Sequence, residues 1–244
     1  MLIDKPFDPQ AGAILLVDKP TTWSSFDVVK KLRGALRILT GHRIKVGHAG
    51  TLDPLASGLL VIGVGRSTKQ LPTLTDQDKG YTATLKLGAT TPSYDAETGE
   101  QDHRPWEHLT EADIRAALDR FTGSFDQRPP NFSAKRFQGE RAYFLARDGA
   151  HIDLPPHPVR VDRIDLLGID GPNVMIDVAC SKGTYIRSLA HDIGQALGCG
   201  AYLIALRRTR SGPYTLEGAR TPEEWSVWLD AWIAARSPGD QHVR

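Results

Sequence analysis

Cysteine is scarce: Cys180 and Cys199 are the only two in 244 residues. Two cysteines build no disulfide framework, and a reducing compartment fits them. No apolar run approaches the ~20 residues of a membrane span. The N-terminus also lacks a basic segment, an apolar core and a small-residue cleavage site, so no secretory signal is evident. A cytoplasmic protein without membrane contact is expected. Neither HExxH nor CxxC is present, so no metal site is expected. The glycines Gly63 and Gly65 precede Arg66-Ser67-Thr68-Lys69 without Walker spacing, and Thr68 stands where GxGxxG needs its third glycine. There is no GxSxG elbow either. What survives is a carboxylate working without metal or dissociable cofactor.

That carboxylate is Asp53, within Gly47-His48-Ala49-Gly50-Thr51-Leu52-Asp53-Pro54-Leu55-Ala56-Ser57-Gly58-Leu59-Leu60. Pro54 pushes the preceding residue towards extended backbone, so Asp53 does not sit inside a helix. The following run Leu59 to Val64 reads as a buried strand. Asp53 is thus placed on a tight, glycine-rich loop feeding that strand. An Asp that merely caps a turn would look the same locally.

Net charge is only +1, but it is unevenly distributed. Lys30, Lys31, Arg33, Arg37, His42, Arg43 and Lys45 form a basic run without an intervening acid. Lys135, Arg136 and Arg141 form a second group, and Arg207, Arg208 and Arg210 a third. Acids gather around Asp95 to Asp113 and Glu217 to Asp230. Local cationic patches suit a phosphate backbone, although a solvated helix face explains any single one.

Along the chain, Ala13 to Val17 reads as a strand, and Ser24 or Ser25 caps a helix carrying Val28, Val29, Leu32 and Leu36. Tyr81, Ala83, Leu85 and Leu87 alternate with polar residues on a strand. Thr90 to Trp106 reads as a polar surface loop. Thr110 with Asp113 opens a helix that Gly123 and Ser124 end. Residues 128–158 lie between proline clusters and mix aromatics with cations, as an inserted arm able to grip RNA would, or a proline-bounded hairpin. Val159–Leu167 and Val174–Cys180 are strands around a turn. A helix from Ile186 to Leu197, a strand from Ala201 to Leu206 and a helix opening at Thr221-Pro222 follow. In the last, Trp225, Trp228, Leu229 and Trp232 form a core-packing stripe. Such interleaving argues for a mixed sheet flanked by helices rather than a regular doubly wound fold.

The Asp53 loop resembles the catalytic motif of the TruB family of tRNA pseudouridine synthases almost throughout. Five further blocks agree in family order. Leu16 to Pro20 with Trp23 to Val29 is similar to the lysine-proline motif, and Lys79-Gly80-Tyr81 to the strand carrying a tyrosine. Arg128 to Ala134 with Gly139 to Arg147 resembles a thumb insertion. Cys180 to Arg187 resembles the block carrying an arginine, and Leu206-Arg207-Arg208 with Gly212-Pro213 the last block. Departures are Thr22 where most relatives have glycine and Phe26 where a histidine is frequent. Only a short tail follows Leu216, where many bacterial relatives add a PUA domain.

The resemblance implies an α/β (α+β) pseudouridine synthase fold: a mixed, largely antiparallel central sheet flanked by helices, with an RNA-binding thumb. It implies a catalytic domain over 1–220, with the thumb at about 128–158, and a C-terminal helix and tail over 221–244. The implied catalytic residues are Asp53 as nucleophile, Arg187 as its cationic partner, and Tyr81, stacked on the target uracil. Periodicity alone would bury Tyr81 in the sheet. Tyr185 and Leu206 would line the uracil pocket, and His48 would stack in the RNA. Lys19 would support the loop or contact phosphate, while Lys135 and Arg141 would contact RNA. The implied substrate is uridine 55 of the tRNA T stem-loop, flipped out for access. The expected protein needs no cofactor, metal or guide RNA and acts as a monomer. Two alternatives stay open, a tRNA-binding folding helper with secondary or no catalysis and a guide-dependent synthase.

Overall fold

The computed structural model describes residues 7–133, 136–137, 140–141, 145 and 154–235. Its strands are β1 (Ala13–Lys19), β2 (Val46–Ala49), β3 (Ala56–Val64), β4 (Lys79–Leu87), β5 (Gly123–Gln127), β6 (Arg136–Phe137), β7 (Glu140–Arg141), β8 (His157–Asp170), β9 (Asn173–Cys180), β10 (Ala201–Ser211) and β11 (Tyr214–Thr215). Its α-helices are α1 (Ser25–Thr40), α2 (Leu71–Thr75), α3 (Glu111–Asp119), α4 (Ile186–Leu197) and α5 (Pro222–Ala235). The class is α+β, with antiparallel registers between named strands and helices flanking the sheet. Two compact units are distinguished: 1–77 with 207–244, and 78–206. The dividing point falls inside β10.

In the first unit β3 pairs antiparallel with β1 and with β2. β3 is buried along almost its whole length, as its apolar run requires. Helix α1 starts where Ser24 and Asp27 form a reciprocal capping box, and ends at Gly41 with φ 73°. Its stripe Val28, Val29, Leu32, Leu36 and Leu39 is buried, and the helix packs on α5. There Trp225, 2% exposed, donates its indole N–H to the Leu16 carbonyl at 2.9 Å. Burying an aromatic of that size without orphaning its donor is the favourable arrangement. Trp228 and Trp232 instead stack in sequence with Phe7. The expected tryptophan stripe is therefore a packing device.

In the second unit the order is β4-β9-β8-β5, antiparallel throughout. The alternation expected of β4 is present: Tyr81, Ala83, Leu85 and Leu87 are buried, and Thr82, Thr84 and Lys86 are half-buried. Helices α3 and α4 pack together, with α3 also on β8 and α4 on β4. Three expected boundaries shift. The Thr110 capping box starts α3 as expected, but the helix stops at Asp119, and Gly123–Gln127 forms β5. The segment Val46–Ala49 also becomes a strand, and the strand starting at Ala201 runs on to Ser211. Segments as short as Val46–Ala49 and Gly123–Gln127 leave little periodicity to read.

About half of the expected thumb at 128–158 falls outside the described residues. Within it β6 pairs with β7, with Arg136 opposite Arg141. Lys135 lies outside the described residues, and for Arg141 only the backbone is described. Among the described residues no helix is long and apolar enough to cross a membrane.

Thr22 sits in left-handed backbone at φ 70°, which β-branched residues resist. Its N–H donates to the Pro54 carbonyl at 2.7 Å, so the conformation serves the Asp53 loop. This gives the departure from glycine a physical cost. Thr22→Gly is expected to raise unfolding stability by about 1 kcal/mol, measured by denaturant titration. Unchanged or lowered stability would contradict that assignment.

Candidate active site

Asp53 occupies the loop between β2 and β3, half-buried, as the sequence indicates. The loop turns tightly, with the Ala56 N–H donating to the Asp53 carbonyl at 3.0 Å. Two side chains fasten it. Ser25 Oγ donates to the Leu52 carbonyl at 3.0 Å and accepts from the Leu52 N–H at 2.8 Å. Arg208, 1% exposed, donates from Nε to the Leu59 carbonyl at 2.7 Å and from Nη2 to the Gly50 carbonyl at 3.1 Å, with a longer 3.5 Å contact to Thr51. One planar guanidinium therefore holds backbone on both sides of Asp53. The close approach depends on Gly58 (φ 97°), where a Cβ would lie 2.3 Å from the Arg208 carbonyl oxygen.

This corrects one expectation. Arg207 and Arg208 were grouped with phosphate-seeking cations, but Arg208 is consumed inside the fold. Arg207 forks onto Asp18 through contacts of 2.7 and 3.1 Å. Consecutive arginines at a strand end look alike in sequence, and only pairing separates the buried one from its neighbour.

Lys19, at the end of β1, is fully buried and donates from Nζ to the carbonyls of Pro20 at 2.9 Å and Trp23 at 2.6 Å. Burial pulls its pKa down to about 8, the Asp53 carboxylate pulls it back up, and Arg208 pushes it down. Lys19 thus fastens the turn from Pro20 to Trp23 and lies in the electrostatic field of Asp53. His48, on β2, has its pKa lowered by burial first and then by Arg208, leaving a neutral ring at pH 7. The basic run around α1 divides. Lys31 pairs with Glu223 at 3.0 Å, and Arg33 donates to the Val46 carbonyl. Arg33, Arg43 and Lys45 also line a cleft of about 390 Å³.

The second unit carries the remaining expected residues. Tyr81 is buried on β4, 8% exposed, opposite Val178. Tyr185 stands immediately before α4, its backbone N–H and carbonyl both held by the Gln127 side chain at 2.8 and 3.1 Å. Leu206 is half-buried on β10. Arg187, 5% exposed in the first turn of α4, donates to the carbonyls of Ser93 at 3.3 Å and Phe132 at 3.0 Å. Its Nη1 lies 3.5 Å from Asp95 Oδ2.

Asp95 was missed by sequence reasoning. The stretch Thr90 to Trp106 reads as a polar surface loop, yet Thr91, Ser93 and Asp95 are buried. Thr91 Oγ1 and Ser93 Oγ donate to the Asp95 carbonyl, and the Glu97 N–H donates to Asp95 Oδ1. The polar residues fold the loop on itself, so polarity here marks internal hydrogen bonding rather than solvation. A burial signal was present only as the need of Arg187 for a counter-ion.

Two family models match consecutive stretches of the chain. The model described as "TruB family pseudouridylate synthase (N terminal domain)" matches residues 37–186, and "tRNA pseudouridylate synthase B C-terminal domain" matches residues 187–230. The chain belongs to the TruB family of pseudouridine synthases, which makes it an isomerase acting on tRNA. It is 50% identical over 221 residues to tRNA pseudouridine synthase B of Parabacteroides distasonis, covering 90% of this chain and 94% of that one. It is 46% identical over 242 residues to the protein of the same name from Chlorobium luteolum, covering 97% and 83%. Among solved structures, a chain of an archaeal box H/ACA sRNP Nop10-Cbf5 complex matches with TM-score 0.65 at 30% identity over 91% of this chain. A chain of an H/ACA RNP bound to a substrate RNA containing 2'-deoxyuridine matches with TM-score 0.67 at 29% identity over 92%. This chain spans 55% of the length of each.

Two outcomes follow from these charges. The Lys19 pKa is lowered in the folded state from 10.5 to about 8, so between those values the unfolded chain binds more protons. The Lys19 contribution to stability should therefore rise as pH climbs from about 8 towards 10.5. Stability of wild type relative to Lys19→Met, followed across that range, should increase, whereas a flat difference would refute the shift. Arg208→Lys removes the fork while keeping the charge and should cost about 2–4 kcal/mol, read as a lowered denaturation midpoint. A loss below ~0.5 kcal/mol would show that the fork carries no such energy.

Proposed function

We propose that this protein converts uridine 55 in the T loop of tRNA to pseudouridine, with Asp53 as nucleophile. The carrying observation is the sequence agreement around Asp53, set on a half-buried loop that Ser25 and Arg208 fasten from both sides. Pseudouridine formation breaks the N1–C1′ bond and joins C5 to C1′, with the C5 proton lost to solvent and a proton gained at N1. Nothing is added or removed overall, so a carboxylate, a cation and an enclosed aromatic pocket supply the needed chemistry.

The remaining roles follow the family pattern at matching positions. Arg187 orients and stabilises the Asp53 carboxylate, as a planar fork does for a carboxylate. Tyr81 stacks on the flipped uracil, and Tyr185 and Leu206 close the pocket against water. Neutral His48 fits stacking within the RNA better than ion pairing. Lys19 supports the loop, and the Arg33, Arg43 and Lys45 cleft offers positive charge to the RNA backbone. Lys135 and Arg141 belong to the thumb contacts. The proposed enzyme is a cytoplasmic monomer that works without a guide RNA; the last point is supported by a relative covered over 94% of its length and named tRNA pseudouridine synthase B.

The test is tritium release from 5-tritiated uridine in a T-arm stem-loop. Asp53→Asn preserves size and hydrogen bonding but is not a nucleophilic carboxylate. Release should fall by ~10³-fold or more, with RNA binding retained. Undiminished release by Asp53→Asn would remove Asp53 from the chemistry. Binding without release by either protein, on full-length tRNA as well, would favour a tRNA-folding helper.

A further inference from the structure

Arg187 owes its position to a loop that is unusual at one residue. Tyr94 holds left-handed backbone at φ 62°, a conformation of about 1 kcal/mol cost for a bulky side chain. Its N–H donates to the Thr91 carbonyl at 3.1 Å, and its carbonyl accepts from the Leu203 N–H at 3.0 Å. The next residue is Asp95, whose Oδ2 faces Arg187. Any rotation at Tyr94 therefore moves the carboxylate that faces the Arg187 guanidinium.

The ring of Tyr94 stacks on the ring of His191, with centroids 3.9 Å apart and planes 16° apart. His191 lies four residues after Arg187 on α4, so both project from one helix face. The buried His191 Nδ1 has no hydrogen-bond partner among the described residues. On this half-buried residue the unpartnered Nδ1 leaves the flat ring face as the contact that meets the loop. Burial also lowers its pKa, keeping the ring neutral and free of the hydration a cation would demand. The loop and α4 are thereby joined three times, by Asp95 and by the Ser93 carbonyl to Arg187, and by Tyr94 to His191.

We propose that Tyr94 and His191 are positioning residues, whose stacked rings hold the Thr91–Glu97 loop so that Asp95 fixes the Arg187 guanidinium in its working orientation. The inference rests on the role given above to Arg187. An aromatic pair of this kind contributes in the range that changes a rate several-fold, and misplacing a guanidinium affects the chemical step rather than RNA capture.

The experiment measures kcat and KM for tritium release from T-arm RNA, with melting temperature in parallel. Tyr94→Ala should lower kcat roughly three- to tenfold at unchanged KM and near-unchanged melting temperature. Tyr94→Phe, which keeps the ring, should restore wild-type kcat. His191→Leu, which fills the space without a flat ring, should reproduce the loss, and combining it with Tyr94→Ala should add nothing further. Full kcat in Tyr94→Ala, or an equal loss in Tyr94→Phe, overturns the proposal. Arg187→Lys separates the two ideas. If it keeps full kcat, the Arg187 role fails and this inference with it. If it is inactive while Tyr94→Ala is fully active, this inference alone fails.

Discussion

Everything near Asp53 depends on one buried cation. The Arg208 guanidinium is almost fully enclosed, where an uncompensated charge would cost several kcal/mol. Backbone carbonyl dipoles of Gly50, Thr51 and Leu59 compensate it, and those carbonyls belong to the loop and strand on either side of Asp53. Satisfying the charge and holding the loop are thus one event. Burial pushes the pKa of Lys19 and of His48 downward and the Arg208 charge adds to it, which limits how much further positive charge the region accepts. A loop of glycines and small residues has little rigidity of its own. It gains a fixed shape from the buried donor fork and the Ser25 hydroxyl.

Arg187 repeats this construction in the other unit with different materials. Its guanidinium is also buried and also grips carbonyls, those of Ser93 and Phe132, but it adds the carboxylate of Asp95. The loop supplying Ser93 and Asp95 is held by its own hydroxyls and by the Tyr94–His191 stack. In both places a residue from regular structure, β10 or α4, organises an irregular segment. The carboxylates of Asp53 and Asp95 thus sit on loops whose entropy has been removed in advance, which is what preorganised chemistry requires.

The sequence was most legible where periodicity and end signals coincide. Helix α1 has both, with Ser24 and Asp27 at its start, Gly41 at its end and an apolar stripe between. Strand β4 shows alternation that burial matches residue by residue. The position of Asp53 on a loop followed from Pro54 and the glycines alone. Asp95 was hidden because a polar, turn-rich stretch has the same composition whether it faces water or folds on its own hydroxyls. The burial of Arg208 was hidden for a related reason, since charge patterning cannot say which of two arginines turns inward. Tyr94 left no signal at all. Its weight comes from a positive φ and from a ring 97 residues further along the chain (His191), neither of which leaves a local pattern.

The most direct measurement maps pseudouridine in unmodified tRNA transcripts after incubation with the purified protein and no other RNA. The account predicts a single new pseudouridine at the T-loop uridine, formed in transcripts of unrelated sequence that share the T-arm shape. Pseudouridine elsewhere in the tRNA, or none until a second RNA is supplied, would contradict it.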